Sequence, residues 1–220
     1  TVPGDYWIRM FYCYPNSFTN EVLEVMASDP RFCRYLDMPF QHISDPVLKK
    51  MNRKITRREI EATMSRVRSQ LPDVAWRTTF IVGFPTETDQ DFEELVDFVS
   101  EGQFQHLGIF LYSDEDNIRS SKFGDPIPLS LKEERKNRLM EIQQKISREH
   151  HQKMVGSLQQ VLVGGFSSET DLLLEGRNQY QGPEVDGVVY INEGNVTSAG
   201  FHQVEITEAH EYDLVGKILN

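Results

Sequence analysis

Arg77-Thr78-Thr79-Phe80-Ile81-Val82-Gly83-Phe84-Pro85-Thr86-Glu87-Thr88 carries the clearest structural signal in this chain. Its β-branched and apolar first part predicts a buried strand that runs from Ala75 to Val82. Gly83 follows directly, and a glycine lets the backbone approach a ligand closely. Because open α/β folds bind their ligands at the carboxyl ends of strands, this stretch predicts one wall of a cofactor site.

Strands and helices alternate on both sides of this stretch. Four strands that alternate with helices indicate a parallel α/β sheet. The predicted strands are Tyr6 to Tyr12, Tyr35 to Phe40, Ala75 to Val82 and Phe104 to Tyr112. The first two predicted helices run from Thr19 to Ser28 and from a cap at Ser44 to Asn52. A third begins behind a capping box of Thr56 and Glu59 and has the apolar stripe Ile60, Met64, Val67 and Leu71. A fourth is opened by Thr88 and Asp91, with Phe92, Leu95, Val96 and Val99 facing the core.

The pattern changes after residue 128. A capping box of Ser130 and Glu133 predicts a long connecting helix that ends near Gly156 and carries Leu139, Ile142 and Ile146 on one side. Short alternating segments follow and predict a small five-stranded antiparallel barrel of OB-like size. The predicted strands are Leu158 to Val163, Asp171 to Glu175, Gly187 to Ile191, Gln203 to Thr207 and Tyr212 to Ile218. We therefore expect domains over 1–128 and 157–220, joined by a helix over 129–156.

Composition narrows the class of protein. The 220 residues contain no apolar run of about 20 residues and nothing that resembles a signal peptide, so we expect a soluble, cytoplasmic protein. The two cysteines, Cys13 and Cys33, form no metal-binding pattern. Reduced thiols are the simpler interpretation, although a disulfide stays open at this point. No other cluster of metal-binding residues stands out, so we predict no metal ligands.

The charge is distributed unevenly. Residues 156–220 hold two Lys+Arg against ten Asp+Glu, a net charge of −8, whereas residues 1–155 hold 21 against 24, a net charge of −3. An acidic module repels phosphate backbones and attracts cationic partners. The acids of this part either dock a basic partner or serve only as a solvated surface. For docking we single out Glu184, Asp186, Glu208 and Asp213.

Several blocks of the chain have a characteristic order and spacing. They are Tyr6-Trp7-Ile8-Arg9 with Tyr14-Pro15, Tyr35 to His42, Leu48 to Arg53, Arg77 to Thr88 and Leu107 to Glu115. These blocks resemble those of the radical SAM methylthiotransferases, and the resemblance covers nearly the whole chain. Within that family, the blocks Asp37 to His42 and Ala209 to Gly216 resemble the branch that modifies a small-subunit ribosomal protein.

The resemblance implies the later part of a radical SAM (β/α) barrel followed by a TRAM domain of OB type. It also implies two four-iron four-sulfur clusters and S-adenosyl-L-methionine (SAM) as cofactors, and an external electron donor. The family's CxxxCxxC motif is missing from the sequence, and Cys13 and Cys33 have neither its count nor its spacing. We therefore expect this chain to ligate neither cluster and to be inactive alone, with no catalytic residue of its own.

The resemblance also implies a set of SAM-binding residues. Gln41 and His42 follow a strand end on the ligand face, although they could instead support the cap of the next helix. Gly83 either admits the adenine or only makes a turn, and Arg77 either binds a carboxylate or pairs at the other end of the barrel. The full set is Gln41, His42, Arg77, Gly83, Tyr112 and Ser113, of which Tyr112 is equally suited to the core.

Two further features have mainly structural interpretations. Glu87 stands one place beyond the glutamate of the general radical SAM pattern, and we expect it to orient its loop or the next helix rather than a ligand. Six cations lie between residues 49 and 58, without aromatic residues among them for base stacking. We interpret these six cations as a solvated surface or as a contact with the ribosome. Arg53 belongs to one of the blocks that resemble the family, and we expect it to lie nearest the active site.

The implied reaction adds a methylthio group to the β-carbon of an aspartate in a basic ribosomal protein of the small subunit. The charge of the acidic part favours this substrate over transfer RNA, which is the substrate of the sister branch. A different class of function also stays open, namely a binding module without catalysis. A CxxxCxxC run in a longer form of the protein would separate the two classes.

Overall fold

The computed structural model describes residues 3–102, 104–114, 122–168, 170–194 and 199–219. A four-stranded sheet of order β1-β2-β3-β4 forms in the first half, with β3 and β4 parallel from Arg77 opposite His106 to Val82 opposite Leu111. The elements of this half are β1 (Ile8–Met10), α1 (Asn20–Ser28), β2 (Phe32–Asp37), α2 (Asp45–Lys50), α3 (Arg57–Gln70), β3 (Ala75–Val82), α4 (Asp89–Gly102) and β4 (His106–Leu111).

The predicted alternation of strands and helices is confirmed, but three strands differ in their bounds. β3 has the predicted bounds, whereas β1 and β4 are shorter and β2 lies about three residues earlier than predicted. Pro39 explains the early end of β2, because proline has no N–H group to donate to the sheet. Beyond it the chain returns to the sheet at Gln41, which forms an isolated parallel bridge with Phe80.

Capping residues begin two helices as predicted. The Thr56 N–H donates to Glu59 Oε2 at 2.8 Å, and the Glu59 N–H donates to Thr56 Oγ1 at 3.4 Å. Thr88 and Asp91 repeat this reciprocal arrangement at the start of α4, with distances of 2.9 and 3.2 Å. Each arrangement satisfies backbone donors that have no partner inside the helix. The predicted apolar stripes of both helices are buried.

Ser44 does not cap α2 with its side chain, contrary to the prediction. It occupies the N-cap position, but its hydroxyl donates to the Asp91 carboxylate instead. Burial alone would raise the pKa of Asp91, but hydrogen bonds from Ser44 and from the Thr88 hydroxyl and N–H hold that pKa below its usual value. The contact ties the start of α2 to the start of α4.

Aromatic rings form the centre of the core on one side of β3. Phe40 packs against Trp76 and Phe104 with ring centroids 5.9 and 6.3 Å apart, and Phe80 packs edge to face on Phe98 at 6.1 Å. All five side chains are buried. Edge-to-face pairs of this kind add to the free energy gained from burial alone.

The chain divides into two compact units. The α/β unit comprises Phe11–Ser28 and Leu36–Gln143, and the barrel unit comprises Thr1–Met10, Asp29–Tyr35 and Gln144–Asn220. These units interleave along the sequence, and the continuous domain boundaries that we expected stay a prediction.

The long helix α5 (Leu129–Gln152) corrects two details of the sequence interpretation. Ser130 lies inside its first turn and does not precede it, so Ser130 and Glu133 form no capping box. Gln143 is buried where Ile142 was expected, and Lys132 and Arg135 are buried on the same helix. This face of the helix is therefore not a typical apolar stripe. Its two buried cations indicate that acidic side chains pack against them.

The barrel unit contains a closed five-stranded barrel of order β5-β6-β7-β9-β8, which confirms the predicted OB-like fold. One part of the prediction is wrong, because β7 and β9 pair in parallel and the barrel is therefore not fully antiparallel. The core consists mainly of β-branched residues on alternate positions, such as Val204 and Ile206 on β8. The strands are β5 (Leu158–Phe166), β6 (Leu174–Asn178), β7 (Val189–Glu193), β8 (Gly200–Ala209) and β9 (Leu214–Ile218).

Among the residues described, none of the helices combines the length and the apolar character that crossing a membrane requires.

Candidate functional site

A cavity of about 630 Å³ opens in the α/β unit where β3 and β4 end. This is the ligand-binding edge of a parallel α/β sheet. Three of the six predicted SAM-binding residues, Gln41, Tyr112 and Ser113, line it. The other lining residues are Lys49, Lys50, Met51, Asn52, Arg53, Ile81, Phe84, Phe110, Leu111, Lys122 and Phe123.

Gln41 enters the cavity wall from a fixed backbone. Its N–H donates to the Thr79 carbonyl and its carbonyl accepts from the Ile81 N–H, both at 2.9 Å. Its φ of +74° lies in the left-handed region, which few residues other than glycine adopt. Such backbone conformations persist where the surrounding structure holds them, and they concentrate at functional sites.

Aromatic rings form one side of the cavity. Phe84 packs edge to face on Tyr112 with ring centroids 5.3 Å apart, and Phe123 lies 6.1 Å from Phe84. Tyr112 belongs to a small buried cluster and also lines the cavity, so both of its predicted roles are compatible with its position. Rings at a pocket wall suit a flat, partly apolar ligand group.

His42 does not line the cavity, and its side chain is fully buried. Its Nδ1 accepts the Ser44 N–H at 3.0 Å, and its Nε2 lies 3.4 Å from Glu87 Oε2. Glu87 is buried as well, and its carboxylate accepts the Gly83 N–H at 3.0 Å and Arg135 Nη1 at 2.6 Å. Glu87 thus orients the loop after β3, as the structural interpretation of this residue predicted.

Gly83 has a structural reason to be glycine. Its φ is +75°, and a side chain there would overlap with Lys132 Cγ and place a carbon 2.7 Å from Lys132 Cδ. Lys132 is itself held in place, because its Nζ donates to the Tyr112 carbonyl at 2.8 Å and to Asp125 at 2.5 Å. The glycine therefore makes room for this lysine, and a SAM contact at Gly83 stays a prediction.

Arg77 lies near the start of β3, away from the cavity. Its Nε is 3.7 Å from Asp37 Oδ1, and Asp37 is buried. The Tyr12 N–H donates to the same carboxylate at 3.0 Å. The structure thus gives Arg77 an internal acidic partner, in line with the alternative that it pairs at the end of the sheet opposite the ligand face.

The thiols of this chain are free and poorly suited to bind metal. Burial, together with the Asp37 carboxylate, raises the pKa of Cys13 to about 11, and burial raises the pKa of Cys33. Thiolates, not thiols, ligate metal ions. Across the described ranges, no three His, Cys, Asp or Glu side chains are grouped so that they could hold a metal ion.

We expect Cys13 to react slowly with iodoacetamide. With a thiol pKa of about 11 instead of 9.0, its rate at pH 8 should be about ten- to a hundredfold below that of an exposed cysteine. Asp37→Asn should raise the rate, because it removes the neighbouring negative charge. Mass spectrometry of alkylated peptides against time measures both rates. A Cys13 rate equal to that of a free thiol would contradict this assignment.

The four acids selected for docking fall into two classes. Glu184 and Glu208 are exposed on the barrel unit. Asp186 accepts the Tyr35 hydroxyl and the Gly182 N–H, each at 2.7 Å, and Asp213 accepts the Val188 N–H at 2.8 Å. The latter two therefore have structural roles in the barrel unit. Glu169 of the acidic part and Glu115 of the last matched block lie outside the described residues.

Sequence reasoning missed Lys132, Arg135 and Asp125. The signal of the two cations was weak, because charged residues on a long helix ordinarily face solvent, and Asp125 lies in the sequence before that helix. The spacing of Lys132 and Arg135 with Leu139 on one helical face was the available indication.

Two family models match the chain. Residues 5–99 match the radical SAM superfamily, and residues 155–219 match the TRAM domain. Among solved structures, the chain resembles the radical SAM enzyme coproporphyrinogen III oxidase (HemN) from Escherichia coli with a TM-score of 0.51 and 13% identity. That likeness covers 79% of this chain and 46% of the other, and it supports the fold alone.

Curated relatives match over nearly all of this chain. The ribosomal protein uS12 methylthiotransferase RimO of Bdellovibrio bacteriovorus is 48% identical over 99% of the chain, and that of Desulfotalea psychrophila is 46% identical over 97%. The chain spans about half the length of these relatives, 48% in both cases. Over nearly its whole length the chain is therefore similar to radical SAM methylthiotransferases, and it contains a segment that matches the radical SAM superfamily and a segment that matches the TRAM domain.

Proposed function

We propose that this chain forms part of an enzyme that methylthiolates the β-carbon of an aspartate in ribosomal protein uS12, with the cavity as its SAM site. The observation that carries the proposal is the position of Gln41, Tyr112 and Ser113 around one cavity at the carboxyl edge of the sheet. The identity of 48% to a protein named as a uS12 methylthiotransferase supports the substrate.

The cavity suits the adenosyl part of SAM. A volume of about 630 Å³ is in the range of small-molecule sites, and its wall combines the rings of Phe84 and Tyr112 with the amide of Gln41. The rings can cover the flat base, and the amide can donate to and accept from ribose hydroxyls. When bound, SAM supplies the methyl group and the hydrogen-abstracting radical that the reaction needs.

The residues of this chain do not suit an iron–sulfur cluster. The two cysteines are free, and the raised pKa values of both thiols disfavour the thiolate form that such clusters need. We therefore assign no step through a cluster to these residues. Their part is to position the nucleoside, to exclude water from it with apolar walls, and to hold the loop after β3 through Glu87 and Arg135.

The barrel unit is proposed to dock the basic substrate protein. Residues 156–220 carry a net charge of −8, with two Lys+Arg against ten Asp+Glu. Glu184 and Glu208 are the exposed carboxylates that we propose to contact it. The same charge disfavours binding of RNA through this unit. A cytoplasmic location and an external electron donor complete the proposal.

Reconstitution tests the function. We expect the longer protein that contains this chain, loaded anaerobically with iron and sulfide, to produce deoxyadenosine from SAM and to add a methylthio mass to uS12. Glu184→Gln with Glu208→Gln should weaken uS12 binding, because it removes two exposed negative charges that face a basic partner. Modification of transfer RNA in place of uS12 would favour the sister activity. Absence of SAM cleavage would favour a binding module.

A further inference from the structure

The polar part of the cavity wall carries charge of one sign. Lys49, Lys50, Arg53 and Lys122 line the cavity, and no described lining residue is acidic. None of these four cations has a carboxylate within ion-pair distance in the part of the chain that the structure describes. Burial lowers the pKa of Arg53, whose guanidinium lies 5.8 Å from the centroid of the Tyr14 ring. A wall of this kind attracts an anionic group.

One ring gathers two of these cations. Lys50 Nζ lies 5.5 Å from the Phe123 ring centroid, and Lys122 Nζ lies 5.0 Å from the same centroid. Lys50 ends α2, whereas Lys122 comes from the segment after β4. Two segments distant in sequence thus bring their ammonium groups to one aromatic ring, with which each can form a cation–π contact. An anion bound by both would offset the repulsion between the two positive charges.

SAM by itself does not account for these charges. It carries a sulfonium and an ammonium against one carboxylate, so its net charge is positive. Its one carboxylate can serve as partner to only some of the four cations. The cations therefore point to a second ligand that is anionic and enters the same cavity.

The backbone of the cavity wall is also specialised. Four described residues other than glycine have positive φ, and two of them, Gln41 at +74° and Asn52 at +59°, line this cavity. Asn52 lies two residues after Lys50, beyond Met51, the C-cap residue of α2. Conformations of this kind are maintained where position matters for function. The end of α2 is thus held in a defined place relative to the cavity.

We propose that Lys50 and Lys122 bind the carboxylate of the aspartate that is modified and so select aspartate over asparagine. This inference rests on the proposed function, because it takes a protein side chain as the acceptor. A carboxylate is favoured over RNA phosphate because the chain as a whole carries a net charge of −11, which repels a polyanion. Lys49 and Arg53 add to the local positive field.

The test compares two acceptors on the longer protein, reconstituted and supplied with SAM. Fluorescence anisotropy measures the affinity for labelled uS12 and for uS12 with asparagine at the target position. We expect the natural protein to prefer the aspartate form by about tenfold, the lower end of what a charged hydrogen bond contributes. In the Lys50→Gln/Lys122→Gln double variant, the ratio should fall to about one. Lys145→Gln, at an exposed lysine of α5 outside the cavity wall, should keep the natural ratio.

The outcomes separate this inference from the proposed function. If the natural protein modifies uS12 but the double variant keeps the natural ratio, the inference is wrong and the function stands. If the natural protein modifies no uS12, the proposed function fails first. If a transfer RNA stem-loop displaces uS12 and the double variant weakens that RNA binding, the lysines serve phosphate. A double variant that changes only SAM cleavage would assign the cations to the cofactor, which also overturns the inference.

Discussion

Arg135→Met is expected to lower the free energy of unfolding of the α/β unit by about 3–5 kcal/mol, because it leaves a buried carboxylate without its partner. Arg135 and Glu87 have side chains that are 3% and 0% exposed, and Arg135 Nη1 lies 2.6 Å from Glu87 Oε1. Methionine retains most of the packing volume. Among the described residues, the Glu87 carboxylate would then keep its contacts with the Gly83 N–H and His42.

A matched control exists three residues along the same helix. Arg138 forms a two-pronged pair with Glu93, but both side chains are about half exposed, at 47% and 53%. Arg138→Met should shift stability little, because exposed ion pairs are screened by water. Urea unfolding followed by Trp76 fluorescence in a Trp7→Phe background reports on the α/β unit. Equal effects of the two substitutions would contradict the buried-pair assignment.

Gly83→Ala is expected to be the second severe change, at about 2–4 kcal/mol from left-handed strain and overpacking together. The φ of +75° disfavours any side chain, and the new methyl group would overlap with Lys132. Lys132 cannot move aside easily, because its Nζ is bonded to Asp125 and to the Tyr112 carbonyl. The substitution therefore strains the loop or breaks these bonds.

Gly124→Ala separates the two causes. Gly124 also has a positive φ, of +62°, but a Cβ there would meet nothing within 4 Å. It should cost about 1–2 kcal/mol from backbone strain alone. The difference in urea midpoint between the two variants measures the overlap with Lys132. Gly83→Ala could instead lower the free energy of unfolding no more than Gly124→Ala does, and yet abolish SAM binding. Close approach of the ligand would then explain the need for glycine at position 83 better than the overlap with Lys132 does.

Local signals sufficed for much of the fold. The β-branched run of β3 had the right bounds, and the capping boxes at Thr56 and Thr88 formed as predicted, because each depends on residues only a few positions apart. The predicted bounds of β2 and β4 were less accurate. β2 ends at Asp37 because Pro39 cannot donate to the sheet. The parallel pairing of β7 with β9 depends on how the barrel closes, which no local pattern encodes.

The candidate site was predicted only in part. Gln41, Tyr112 and Ser113 lie at the carboxyl edge as expected, because residues after parallel strands meet there. His42 was chosen by the same reasoning but is buried, whereas Arg77 was chosen because a guanidinium suits a carboxylate, and it lies near Asp37. SAM binding by any of these residues stays a prediction. Whether a side chain is buried, and which charged partner it contacts, depends on neighbours that are distant in sequence. The lysines of the cavity wall looked like a solvated surface for the same reason.

The sequence by itself determined the resemblance to radical SAM methylthiotransferases, the order of strands and helices, and the change to a small acidic barrel after a long helix. Periodicity, capping and motif spacing are short-range properties, so a linear reading can recover them. Only the tertiary structure decided which side chains line the cavity. It also decided that Lys132 occupies the space a side chain at Gly83 would need, and that Glu87 and Arg135 are buried together. Such juxtapositions join α5 to the loop after β3 and α2 to the segment after β4, and they exist only once the chain has packed.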